Sequence, residues 1–69
     1  MTSFPNPYSI AIVGAASGIG RSTAKLAASR GATIICLDRD GQGASDAAAE
    51  INAAGGKATA HAIEITDKV

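Results

Sequence analysis

Apolar residues fall in blocks separated by glycine-rich and polar breaks. Ile10-Ala11-Ile12-Val13 is apolar throughout, and Ala32-Thr33-Ile34-Ile35-Cys36-Leu37 carries one threonine among apolar residues. Short apolar runs without alternation read as strands buried on both faces. From Gly18 or Ile19 to Arg30 the period changes: Gly20, Ala24 and Ala27 recur at helical spacing as a small-residue face suited to close settling on a sheet. Ile19, Thr23 and Leu26 flank that face, while Arg21, Lys25 and Ser29 are expected in solvent, and Gly31 supplies a stop. A second helix is predicted over Gln42 to Ala54. Ala44, Ala47, Ala48 and Ile51 form its i, i+3, i+4, i+7 stripe, Asp40 can cap it, and Gly55-Gly56 ends it. Lys57 to Ile65 alternates as a third strand, with Ala58, Ala60, Ala62 and Glu64 on one side and Thr59, His61, Ile63 and Ile65 on the other.

The order βαβαβ predicts an α/β fold with a parallel sheet and right-handed crossovers. Two successive crossovers in one direction put both helices on the same face. Strands apolar on both sides then lack a cover on the second face, and the outer edge of the first strand lacks a neighbour. The expectation is half of a doubly wound domain, three-layered when complete. The bare face would meet either the remainder of that domain or another copy of the chain. Residues 1–7, with Pro5 and Pro7, are expected as an extended lead-in, and 8–69 as the partial domain.

Composition narrows the class. With 69 residues there is room for one small domain. Six basic and six acidic residues cancel and are scattered, so no electrostatic footprint for nucleic acid or an acidic membrane is present. One cysteine allows no internal disulfide, and Cys36 inside an apolar strand reads as a small buried hydrophobe. Met1 to Ser9 lacks a basic signal-type start, and no apolar stretch approaches the roughly 20 residues of a membrane span. A cytoplasmic protein is the expectation.

The chemistry lies in Gly14-Ala15-Ala16-Ser17-Gly18-Ile19-Gly20, a turn between the first strand and the first helix. Glycine at a strand end permits positive φ, in mid-loop it lets another group approach the backbone, and in the first helical turn it permits close packing. Free N–H groups and the positive end of the helix dipole suit a phosphate. Asp38 stands eighteen positions after Gly20, at the end of the second strand. A carboxylate about 20 residues on from such a loop can accept hydrogen bonds from an adenosine ribose. Other chemistries fit less well. Ala15 to Ser22 approaches a relaxed Walker A motif with Arg21 in place of the lysine, and leaves Asp38 unexplained. Ser17 and Ser22 lack a nucleophile elbow, and one His and one Cys make no zinc site. Asp46 and Glu50 read as surface carboxylates.

Val13 to Gly20, Leu37-Asp38-Arg39 and Ile63-Glu64-Ile65-Thr66-Asp67 together resemble the short-chain dehydrogenase/reductase family, over nearly the whole chain from Tyr8. The resemblance implies a Rossmann-type domain and a nicotinamide dinucleotide cofactor. Gly14, Gly18 and Gly20 would shape the loop, and Ser17 and the Ile19 backbone would meet phosphate and nearby ribose. Asp38 would take the adenosine ribose hydroxyls and repel a 2′-phosphate, which implies NAD before NADP, although Arg39 follows as in some NADP enzymes. Glu64 and Ile65 would hold the adenine. Val13 stands where the family commonly has Thr, and Glu64 where it has Asp. The family's Asn-Ala-Gly stretch, catalytic Ser and Tyr-x-x-x-Lys pair are not among these residues, and Tyr8 has no Lys four positions on. The resemblance thus implies a hydride-transferring oxidoreductase as parent, and a chain without catalytic residues of its own. A nucleotide-binding or interaction module that pairs its open sheet face with a partner is the alternative expectation.

Overall fold

A computed structural model describes residues 8–64. Strand β1 (Ser9–Val13), helix α1 (Gly18–Ser29), β2 (Thr33–Asp38), α2 (Gly41–Ala53) and β3 (Lys57–Ala62) follow in order. The strands form one parallel sheet in the order β1-β2-β3, with Ile10 beside Ile34 and Ile34 beside Ala58. This is the Rossmann-like βαβαβ arrangement expected from the periodicity. The lead-in at residues 1–7, and Ile65 with the residues after it, lie outside the described residues.

Both helices lie on one face. There Ile34 and Cys36 are fully buried, and Ala24, Ala27, Ala44, Ala47, Ala48 and Ile51 descend on them, with Ile10, Ile12, Ala58 and Ala60 at the margins. The whole predicted α2 stripe is buried. A core whose helical side is alanine apart from Ile51 brings helices close to the sheet but removes little apolar area per residue. Loss of either large group from it is therefore felt. The other face, carrying Ala11, Val13, Ile35 and Leu37, is not covered by any described element, and Val13 is 61% exposed.

Several expectations shift. Helix α2 begins at Gly41 and ends at Ala53, one residue earlier at each end than the stripe suggests, because Asp40 caps by accepting the Gly43 N–H. Strand β3 stops at Ala62, where its pairing with β2 runs out at Asp38. Ala62 keeps the expected side, its Cβ facing Gly41 at the start of α2, and is exposed there. Arg21 and Lys25, expected in open solvent, both reach across to Glu50 on α2: Arg21 donates to one carboxylate oxygen, and the Lys25 Nζ lies 3.2 Å from the other. These pairs, Arg21 chiefly and Lys25 after it, hold the Glu50 carboxyl below its ordinary pKa.

Candidate cofactor site

The site lies at the C-terminal edge of the sheet, where the first strand hands over to α1. The N–H groups of Gly14 and Ala15 both donate to the Leu37 carbonyl, at 2.8 and 3.1 Å, so the loop is tied to β2 as it leaves β1. Gly14 turns the chain at φ 84°, a conformation that side chains strain to adopt. Ala15 is fully buried and anchors the loop from below. The carbonyl of Gly14 then accepts twice from Ser17, from its N–H at 3.0 Å and its Oγ at 2.8 Å.

Ser17 is the N-cap of α1. Its Oγ accepts the Gly20 N–H at 3.2 Å and its carbonyl the Arg21 N–H at 2.7 Å. A Cβ on Gly20 would stand 2.0 Å from the Gly14 oxygen, so only glycine lets the first turn of the helix sit this close to the strand end. An α-helix leaves its first four N–H groups without intrahelical acceptors. Ser17 and Gly20 find theirs within the loop; among the described residues, Gly18 and Ile19 find none. Both residues are exposed. The positive end of α1 therefore offers two free donors to an anion. The hydroxyl of Ser17, expected to meet a ligand, is already engaged on both sides.

Asp38 closes the site from β2. One carboxylate oxygen accepts the Ala16 N–H at 2.9 Å and the other the Asp40 N–H at 2.9 Å. Those two bonds, Asp40 first and Ala16 second, hold the Asp38 carboxyl below its ordinary pKa, so it is ionised at neutral pH. Each carboxylate oxygen has further acceptor capacity beyond the bond it makes. Hydroxyl groups presented from solvent can use it. The Asp40 contact is local, a carboxylate accepting from the N–H two residues on. The Ala16 contact does not follow from sequence spacing, since Ala16 and Asp38 are 22 positions apart and the parallel pairing of β1 with β2 brings them together.

Arg39 is exposed beside Asp38. With Ala62, Ile63 and Glu64 it lines an open hollow of about 410 Å³. The Ile63 N–H donates to the Asp38 carbonyl at 3.0 Å, which carries β3's direction one step past its end and places Glu64 on this side. Ile65, the other residue expected there, is outside the described residues. A second hollow, of about 280 Å³ between Lys25, Ser29, Glu50 and Ile51, opens between the helices towards their C-terminal ends and gathers none of these groups. Among the described residues no cluster of His, Cys, Asp and Glu could hold a metal, and no helix is long and apolar enough to cross a membrane. Burial pushes the Cys36 thiol pKa up, away from reactivity.

The family model described as short chain dehydrogenase matches residues 9–69. Among curated proteins, "Probable oxidoreductase EphD" of Mycobacterium tuberculosis is 43% identical over 58 residues, which are 84% of this chain and 10% of that protein. Among solved structures, a metagenomic short-chain oxidoreductase in complex with NADP superposes with a TM-score of 0.79 at 35% identity, over 83% of this chain and 26% of its own. A Haemophilus influenza protein described as a "putative D-Mannonate oxidoreductase", with bound NAD, gives a TM-score of 0.79 at 35% identity, over 87% and 21%. The chain thus spans between a tenth and about a quarter of the length of these relatives.

Proposed function

The chain belongs to the short-chain dehydrogenase family, and from that premise we propose that it binds NAD as the cofactor-binding part of an oxidoreductase that moves hydride between a nicotinamide and an alcohol or carbonyl. The observation that carries this is a juxtaposition. Two unsatisfied N–H groups, of Gly18 and Ile19, stand on the same sheet edge as a carboxylate, Asp38, that a neighbouring loop N–H holds in place. The first suits a pyrophosphate and the second a ribose diol. Gly14, Gly18 and Gly20 shape the loop, and Ser17 acts by capping α1. Glu64 and Ile65 are assigned to the adenine and Arg39 to the neighbourhood of the ribose 2′ position; Arg39 and Glu64 line the open hollow.

The nicotinamide supplies the hydride chemistry when bound; the residues of this chain hold and orient it. Asp38 selects NAD over NADP, because an ionised carboxylate facing the ribose 2′ position repels a phosphate there more strongly than a flexible Arg39 attracts it. The one tyrosine of the sequence, Tyr8, stands in front of β1 with no Lys four positions on, so the family resemblance assigns this chain no acid to protonate a carbonyl. By itself it binds and does not turn over. Residues 8–69 are assigned here to one cofactor-binding unit. The test is calorimetric titration of the chain with NAD and with NADP, with circular dichroism alongside. A folded chain is expected to bind NAD saturably and more tightly than NADP; a folded chain that binds neither would sink the reading.

A second reading rests on the uncovered sheet face. Val13 at 61% exposure with Ala11 beside it, in register with Ile35 and Leu37, is an apolar strip suited to a partner, whether the remainder of a doubly wound domain or a second copy. Sedimentation of the purified chain distinguishes a monomer from self-association.

A further inference from the structure

We infer that the first turn of α2, through Gly43, is the seat that holds Asp38 against the glycine loop, which makes Gly43 a positioning residue for coenzyme affinity and for the choice of NAD over NADP. The inference rests on the cofactor reading above. Glycine is a poor helix former, yet α2 carries Gly41 and Gly43 in its first turn. The space around each explains why. A Cβ on Gly43 would lie 2.6 Å from the Ala16 Cβ and 2.6 Å from Asp40 Oδ2, and a Cβ on Gly41 would lie 3.0 Å from the Ala62 Cβ. The helix start is wedged between the glycine loop on one side and the end of β3 on the other.

Hydrogen bonds run through the same contact. The Ala16 N–H donates to Asp38, the Asp40 N–H donates to Asp38, and the Gly43 N–H donates to Asp40, at 2.9, 2.9 and 3.0 Å. The close approach of Gly43 to Ala16 completes a circuit from loop to strand end to helix and back. A methyl group at position 43 cannot rotate away from the Ala16 methyl, since neither side chain has a torsion to relieve it. Either α2 backs off, taking Asp40 with it, or the loop does, taking the Ala16 N–H away from Asp38. Both movements loosen the carboxylate.

The experiment compares the wild-type chain, Gly43→Ala, and the size swap Ala16→Gly/Gly43→Ala. Hydrogen exchange at the amide of position 16, read by NMR, reports the seat without cofactor, and calorimetry with NAD and NADP reports its consequence. Gly43→Ala is expected to lose protection at position 16, to bind NAD about tenfold more weakly and to narrow the preference over NADP; the swap should recover all three. If Gly43→Ala does not fold, the swap decides, and a swap that fails to regain fold, protection and affinity overturns the seat. Protection and affinity left unchanged by Gly43→Ala also overturn it, while the wild type's NAD binding stands. A folded wild type that binds no NAD overturns instead the reading on which the seat rests.

Discussion

The two strand-to-helix junctions of this chain are built from the same parts and end in opposite electrostatic states. After β1, Ser17 caps α1 with a neutral hydroxyl and leaves the N–H groups of Gly18 and Ile19 free among the described residues. After β2, Asp40 caps α2 with a carboxylate, and Asp38, two residues earlier, adds a second. One helix start invites an anion; the other already has two. On the proposed reading, the donors of the first junction serve the phosphates of a dinucleotide and the carboxylate of the second its adenosine ribose hydroxyls. The lesson is that a βα unit is assigned a chemical role by its cap and not by its fold.

The largest effect is expected from the glycine that makes the first junction possible. Gly20→Ala forces a methyl group onto the Gly14 carbonyl, at a position 2.0 Å away, and backbone cannot swing aside as a side chain can. A loss of about 3 kcal/mol, enough to unfold a small domain, is the expected result in a denaturant melt. A variant as stable as the wild type would mean that α1 can slide outward. The comparison would then lose its steric basis.

At the second junction, Asp38→Ala removes the acceptor and frees the Ala16 N–H. NAD affinity is expected to fall about tenfold or more, with NADP affected less, so that the preference narrows. An unchanged ratio in calorimetry would move the ribose site elsewhere. The same carboxyl gives a pH dependence with a defined sign. Its pKa is lowered in the folded chain, chiefly by the Asp40 N–H and then by that of Ala16. The stability it contributes is therefore complete above the ordinary aspartate value of about 4 and is lost as pH falls through the depressed value. Acid titration of Asp38→Asn should lack that component.

Asp40→Ala tests whether the second cap is structural. Loss of an N-cap carboxylate costs about 1 kcal/mol, a few degrees in melting temperature for a domain of this size. NAD affinity should drop less than in Asp38→Ala, because Asp40 reaches Asp38 through its backbone N–H, which the substitution keeps. An equal drop in both variants would make the cap part of the ribose site.

Much of this arrangement is legible in the sequence, and the limits have a physical pattern. The α2 stripe of Ala44, Ala47, Ala48 and Ile51 is a local periodicity, and all four residues are buried. The glycine spacing from Gly14 to Gly20 reports local backbone demands, and the loop meets them at φ 84° and in the Gly20 approach. What is not legible is what one element does to another. Strand β3 carries alternation on to Ile65 but stops pairing at Ala62, because β2 ends at Asp38. Ile19 and Leu26 flank the small-residue face of α1, yet are 85% and 55% exposed, since the residues of α1 buried against the core are Ala24 and Ala27. Gly43 reads as an unfavourable helix residue until Ala16 is seen against it.

The smallest predicted effect is the most discriminating about where the first junction's positive character comes from. Arg21 lies in the opening of α1, close enough to the free N–H groups to suggest that its charge, rather than the backbone, attracts a phosphate. The structure commits that guanidinium to Glu50 on α2, which Lys25 also pairs with. Glu50→Gln keeps the shape, releases both cations and leaves Gly18 and Ile19 as they are. Pairs this exposed stabilise little and are screened by salt, so the melt should shift only slightly and the shift should vanish at high ionic strength. NAD affinity should stay within about twofold if the backbone donors carry the phosphate, because a solvated side chain adds little to an anion already held by the helix end. A marked, salt-sensitive rise in affinity would show that Arg21 is restrained from the site by Glu50, and would shift the anion-binding role from the cap's geometry to a side-chain charge.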